Sequence, residues 1–137
     1  LLKFPNSNLV NSLAVTSKDK AYMTTYKQTL DIFGDGKTPS NELLEFNGKE
    51  FKTYNQPKPL TGIVKDSRGN LWIAAEDTII KFNGYSFDYI PVPVKDYTYT
   101  CYGQINGKSY ISDIMISPED DIWFAENYSY GCMGYGG

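Results

Sequence analysis

The sequence predicts an all-β fold made of repeated, four-stranded antiparallel units, and three observations carry that expectation. Between Leu60 and Pro93, short apolar runs alternate with polar turn signals. An aromatic-centred pattern then recurs at Tyr22, Trp72 and Trp123, spaced by 50 and 51 residues. Finally, no segment sustains apolar spacing at 3, 4 and 7 between caps, so any helix should be short.

Leu1 to Asn8 read as the tail of something that precedes, because Leu2, Phe4 and Pro5 fit the last strand of a preceding unit. The chain opens on Leu1 rather than Met, which suggests a mature or trimmed piece. The lack of a targeting segment is therefore no argument for the cytoplasm. A first copy of the unit is expected over about 9–56. It is interrupted over about 27–41 by an inserted hairpin, for which Gly34-Asp35-Gly36 supplies a tight-turn signal.

The second copy, about 60–93, is the most legible. Ile63 and Val64 precede the turn Asp66-Ser67-Arg68-Gly69-Asn70. Leu71 to Ala75, Thr78 to Phe82 and Phe87 to Ile90 supply three further strands. Leu71-Trp72-Ile73-Ala74-Ala75 does not alternate apolar with polar, so this strand must be covered on both faces. Stacked neighbours of the same kind would do that. Trp72 and Trp123 are accordingly expected to pack between units.

Aligning the copies on the aromatic places Leu13, Ile63 and Ile114 in one column. Ser17-Lys18-Asp19-Lys20, Ser67-Arg68-Gly69-Asn70 and Pro118-Glu119-Asp120-Asp121 then share one turn. Glu45-Phe46-Asn47-Gly48 matches Lys81-Phe82-Asn83-Gly84, with Phe51 and Tyr54 answering Phe87 and Ile90. A second inserted hairpin is expected over about 94–110, with Asn106-Gly107 at its type I′ turn, and the same chemistry is expected at Asn47-Gly48 and Asn83-Gly84. The third copy covers about 111–137. Units near 50 residues with four short strands read as β-propeller-like blades, of which about two and a half are present; closed propellers have four to eight.

Asp66-Ser67-Arg68-Gly69-Asn70-Leu71-Trp72-Ile73, followed by Ile80-Lys81-Phe82-Asn83-Gly84, Phe87 and Tyr89, resembles the two-component regulator propeller repeat. That repeat forms blades in the extracytoplasmic sensor regions of bacterial hybrid histidine kinases. The resemblance implies a periplasmic or extracellular setting and a sensory or ligand-binding role. It is a likeness of packing chemistry, which by itself names no ligand. Ser117-Pro118-Glu119-Asp120-Asp121-Ile122-Trp123-Phe124-Ala125-Glu126-Asn127 is also similar to the blades of the streptogramin lyases. Those enzymes rely on His for elimination, and this chain has none.

Composition narrows the function classes. At 137 residues the chain is long enough for one domain that buries about 70% of its unfolded surface. A net charge of −3 without a basic cluster argues against nucleic acid. No apolar run approaches a helical membrane span. The aromatic share of 15% suits paired strands.

Without His, the Ser-His and Cys-His nucleophile pairs and the usual neutral general base are missing. Glu119-Asp120-Asp121 reads as a solvated turn rather than a carboxylate pair. No Gly loop precedes a helix to cradle phosphate. No cofactor is expected.

Two further patterns are ambiguous. Asp31, Asp35 and Glu42, with Gly36, hold positions 1, 5, 12 and 6 of a calcium loop, but Phe33 at position 3 offers no oxygen. A plain Asp-Gly turn is the alternative. Cys101 and Cys132 lie in similar Tyr-rich segments and are a disulfide candidate, with two separate thiols as the alternative. Zinc would need more ligands than two Cys.

In a propeller, loops leaving the second strand and leading into the first gather at one rim. By the alignment these are Thr25-Tyr26, Glu76-Asp77 and Asn127-Tyr128 on leaving, and Thr61, Ser112 and Asp113 on leading in. Tyr26 and Tyr128 could stack on a sugar ring while Glu76, Asp77 and Asn127 meet its hydroxyls, with Ser112 and Asp113 as further ligand-binding candidates. The alternative is a set of ordinary solvated loop residues.

The sequence therefore supports a non-catalytic propeller module that binds a small molecule or glycan. An assembly module binding protein through exposed blade faces, by self-association or through the remaining blades of a longer protein, is the second reading. A lyase-type enzyme comes third.

Overall fold

A computed structural model describes residues 8–31, 34–93, 95–100 and 104–128. Among them are twelve strands and no helix, as the all-β expectation requires. In chain order the strands are β1 (Leu9–Ser17), β2 (Lys20–Asp31), β3 (Gly34–Phe46), β4 (Phe51–Asn55), β5 (Gly62–Lys65), β6 (Leu71–Ala75), β7 (Thr78–Phe82), β8 (Phe87–Pro91), β9 (Asp96–Thr100), β10 (Gln104–Lys108), β11 (Tyr110–Ile116) and β12 (Ile122–Asn127). They form two four-stranded meanders, β1-β2-β3-β4 and β5-β6-β7-β8, and two hairpins, β9-β10 and β11-β12, all antiparallel. Among the described residues the sheets do not close on one another.

The second sheet lies between the first sheet and the β11-β12 hairpin, and its sequence shows why. Side chains alternate between faces along a strand. Ile63, Leu71, Ile73, Ala75, Ile80 and Phe82 pack with Ala14, Tyr22 and Leu43 of the first sheet. Ala74 and Ile79 pack the other way, on Ile111 and Ile114 of β11, with Val64 and Trp72 beside them. The non-alternating apolar run of β6 is therefore covered on both faces. An aromatic cluster seals the first interface: Phe82 meets Tyr22 edge-on at 5.7 Å and stacks on Phe87 at 4.2 Å between centroids.

Strand register repeats with the sequence period. Tyr22 pairs with Ala14, Trp72 with Val64, and Trp123 with Met115. On the third strand Tyr22 pairs with Glu45 and Trp72 with Lys81, while Phe46-Phe51 and Phe82-Phe87 pair onward to the fourth. The first strands β1, β5 and β11 are successive neighbours in space.

The turns depart from expectation in three places. Asn106 and Gly107 pair with Thr98 and Tyr97 inside the β9-β10 ladder, so they form strand and not a type I′ turn. Gly34 pairs with Asp31 and Gly36 with Thr29, which puts Gly34-Asp35-Gly36 in β3 rather than in a turn. Asn47-Gly48 and Asn83-Gly84 do turn, but in four-residue loops where only the glycine has positive φ, +94° and +97°. Asn47 Oδ1 accepts from the amides of Lys49 and Glu50, and Asn83 Oδ1 from those of Tyr85 and Ser86. The asparagine is thus a side-chain cap, and its own backbone has no need of a left-handed conformation.

Trp123 also corrects an expectation. Its indole is 65% exposed, whereas Trp72 at the same register position is half-buried. The face of β11 that carries Ile114 is covered by the second sheet, but among the described residues the opposite face carries Met115 and Trp123 into solvent.

Candidate functional site

Residues from four parts of the chain converge on an open cleft of about 520 Å³. Lys37 and Pro39 come from β3, Pro59 and Thr61 from the link between β4 and β5, and Glu76 and Asp77 from the β6-β7 turn. Lys108, Ser109 and Tyr110 come from the β10-β11 junction.

Local chemistry fixes these positions. Ala75 pairs with Thr78, leaving Glu76-Asp77 as a two-residue hairpin turn. Glu76 has φ +55°, a left-handed backbone that costs a non-glycine residue about 1 kcal/mol. Its carbonyl accepts from the Ile111 amide at 2.7 Å, and that of Asp77 from the Val92 amide at 2.8 Å. The turn is thereby tied to β11 and to the segment after β8. Thr61 Oγ1 donates to the Ile111 carbonyl at 3.1 Å, and buried Ser109 Oγ accepts from the Lys95 amide at 2.8 Å.

Charges of both signs line the cleft. Asp77 accepts a hydrogen bond from Lys58 Nζ, and this contact holds its carboxyl below the usual range; burial opposes the shift and the Thr78 hydroxyl at 3.0 Å assists it. Lys37 Nζ sits 4.6 Å from the centre of the Tyr26 ring. Tyr26 pairs with Pro39, so it lies beside that lining residue.

The rim residues expected from sequence are brought together only in part. Glu76, Asp77 and Thr61 line the cleft, and Tyr26 adjoins it through Lys37 and Pro39. Asn127 pairs with the lining residue Tyr110, and its Oδ1 accepts from the Tyr128 amide at 2.8 Å. Ser112 and Asp113 do not line it. Ser112 Oγ donates to the Ala125 carbonyl at 3.3 Å, and Asp113 Oδ1 accepts from the Ile114 amide at 2.8 Å.

Thr25 and Tyr26 are not a loop at all. β2 continues to Asp31 and pairs with β3 on both sides of an irregularity at Thr25, so the long β2-β3 hairpin takes the place of a short connection. Lys37, Pro39, Lys108, Ser109 and Tyr110 were missed because they come from the two segments that the repeat pattern treats as insertions.

The calcium-loop residues are not gathered. Asp31 and Asp35 stand at the tip of the β2-β3 hairpin, where Asp35 pairs with Leu30, while Glu42 pairs with Asn55 on β4. Glu42 is seven positions along β3 from Asp35, about 23 Å at strand rise, which is too far to share an ion. Cys101 and Cys132, the disulfide candidate, lie outside the described residues.

The other side chains with shifted acidity are structural. Burial tends to raise the Asp66 carboxyl, but hydrogen bonds from the Trp72 indole (3.0 Å), from the Asn70 backbone and side chain, and from the Arg68 amide outweigh it, so it is lowered. Asp66 thus caps its own turn and anchors Trp72. Burial raises the Tyr22 hydroxyl, assisted by the bond it donates to Glu45 at 2.5 Å.

Comparison with known protein families, with curated proteins and with solved structures gave no match.

Proposed function

We infer that this chain is a non-catalytic binding module whose sheets are arranged as propeller blades, and that the cleft beside Glu76 and Asp77 takes a hydroxyl-rich ligand of glycan type. The observation that carries this reading is the convergence of the β6-β7 turn, β3 and the β10-β11 junction on one open cleft. A sugar presents apolar C–H faces and hydroxyls that both donate and accept. Tyr110, Pro39 and Pro59 offer flat apolar surface. Glu76 and Asp77 accept from hydroxyls, and Lys37 and Lys108 donate to them.

The blade arrangement is supported by the repeated register of Tyr22, Trp72 and Trp123 and by the succession of β1, β5 and β11. The likeness to the two-component regulator propeller repeat favours a sensory role outside the cytoplasm, periplasmic or extracellular.

Ligand-observed NMR against a panel of neutral and acidic oligosaccharides tests the reading. Binding should be found, and Tyr110→Ala should weaken it at least tenfold, while Tyr85→Ala, on a different cleft, leaves it unchanged. No binding across the panel, or equal affinity in the Tyr110 variant, would overturn the assignment.

A further inference from the structure

The internal packing of the chain contains both halves of an interface that its two outer faces lack among the described residues. Leu13, Ile63 and Ile114 occupy one position in three successive first strands, pairing with Met23, Ile73 and Phe124. Ile63 faces the first sheet and is 4% exposed, and Ile114 faces the second sheet and is likewise 4% exposed. Leu13, with no sheet before it among the described residues, is 57% exposed.

The next position runs in the opposite sense. Ala14 packs toward the second sheet and Val64 toward β11, while Met115 is 64% exposed beside Trp123. Each uncovered face is thus the counterpart of a face that is covered inside the chain, and the cover in every case is the other kind of face.

We propose that the Leu13 and Val15 face of one copy of this chain docks on the Met115 and Trp123 face of a second copy, head to tail. The second copy is specified by the repeat itself, because the second sheet already receives β11 in this way and is received by the first sheet in the same way. Polar groups along the first strands agree. Asn11 Nδ2 donates to the Thr61 carbonyl at 3.0 Å, and Ser12 Oγ accepts from the Ile63 amide at 3.3 Å. Ser112 and Asp113 hold the positions of Asn11 and Ser12 on β11. In the docked pair these positions come to lie along the Asn11 to Leu13 backbone of the second copy. A contact of this heterologous kind builds rings or filaments and does not saturate at a symmetric pair.

Sedimentation velocity on the intact chain, on Leu13→Asp and on Trp123→Asp tests the contact. The unmodified chain should sediment as species heavier than 15.5 kDa whose share grows with concentration. Each variant has one damaged face and should sediment as a single chain. Mixed in equal amounts they should form a species of two chains, because each supplies the face the other lacks.

Both side chains are solvent-exposed in the single chain, so far-ultraviolet circular dichroism should show an unchanged β signature. If either aspartate variant loses that signature, Val15→Lys and Met115→Lys replace them. An unmodified chain that stays single at high concentration would overturn the proposal and leave the faces to a different sequence. Association of the unmodified chain without pairing in the mixture would overturn it in favour of a symmetric contact.

Discussion

The second sheet and the β11-β12 hairpin begin with the same local architecture and end in different surroundings. Trp72 and Trp123 occupy one register position, opposite Val64 and Met115. Their turns are built alike. The Asp66 carboxylate accepts from the amides of Arg68 and Asn70, and the Ser117 hydroxyl accepts from those of Glu119 and Asp121. Asp120, at φ +67°, takes the left-handed place that Gly69 holds at +85°, and its carboxylate binds Ser67 across the two turns.

Yet Trp72 has an acceptor for its N–H in Asp66 and Lys81 Nζ at 5.2 Å from its ring, while Trp123 stands in solvent. The local motif sets the turn and the register. The burial of the aromatic is decided by the neighbour that covers it.

Truncations should separate the two regions most widely. Phe82→Ala removes a fully buried ring between two sheets and should cost about 3–5 kcal/mol in urea denaturation. Trp123→Ala, measured in dilute single chains, should cost under about 1 kcal/mol. Similar losses at the two sites would break the distinction.

Asp66→Ala should follow, at about 1.5–3 kcal/mol near neutral pH, because it removes a buried carboxylate and its charged hydrogen bonds from the turn. Its pH dependence follows from the lowered pKa of the carboxyl. In the range between the folded and unfolded values the unfolded chain binds more protons, so the Asp66 contribution is complete above the ordinary carboxylate value of about 4 and is lost as pH falls below it. The advantage of the unmodified chain over the variant should shrink in acid. Tyr22 works in the opposite sense: its raised hydroxyl stabilises fully below about pH 10, and stability falls as pH rises beyond that, which Tyr22→Phe should blunt.

A smaller effect should come from Glu76→Gly, which relieves the left-handed backbone and should gain up to about 1 kcal/mol in thermal unfolding. The finest adjustment is Ser117→Asp, which gives the β11-β12 turn the carboxylate of its counterpart. A gain of about 0.5 kcal/mol is expected, since Trp123 stays largely solvated.

Much of the fold was legible because packing imposes a period of two within a strand and of about 50 between units. The apolar run Leu71 to Ala75 announced two covered faces, and the spacing of Tyr22, Trp72 and Trp123 located the shared register. Turn chemistry was less legible. Asn-Gly at 106–107 lies within a strand because the ladder with Thr98 and Tyr97 outweighs its local preference.

Of the candidate site, Glu76, Asp77 and Thr61 were readable from the repeat, since they sit where regular units place their loops. Lys37, Pro39 and Lys108 to Tyr110 were not, because they belong to segments that follow no period. The exposure of Trp123 was also hidden, as the sequence specifies a face and not its cover.

Acrylamide quenching of single-tryptophan variants tests most directly whether cover, rather than motif, decides these environments. The chain has two Trp residues, so Trp123→Phe isolates Trp72 and Trp72→Phe isolates Trp123. In dilute single chains Trp72 should emit at shorter wavelength and resist quenching, while Trp123 should emit as a hydrated indole and quench readily. Equal protection of the two indoles under these conditions would contradict the account.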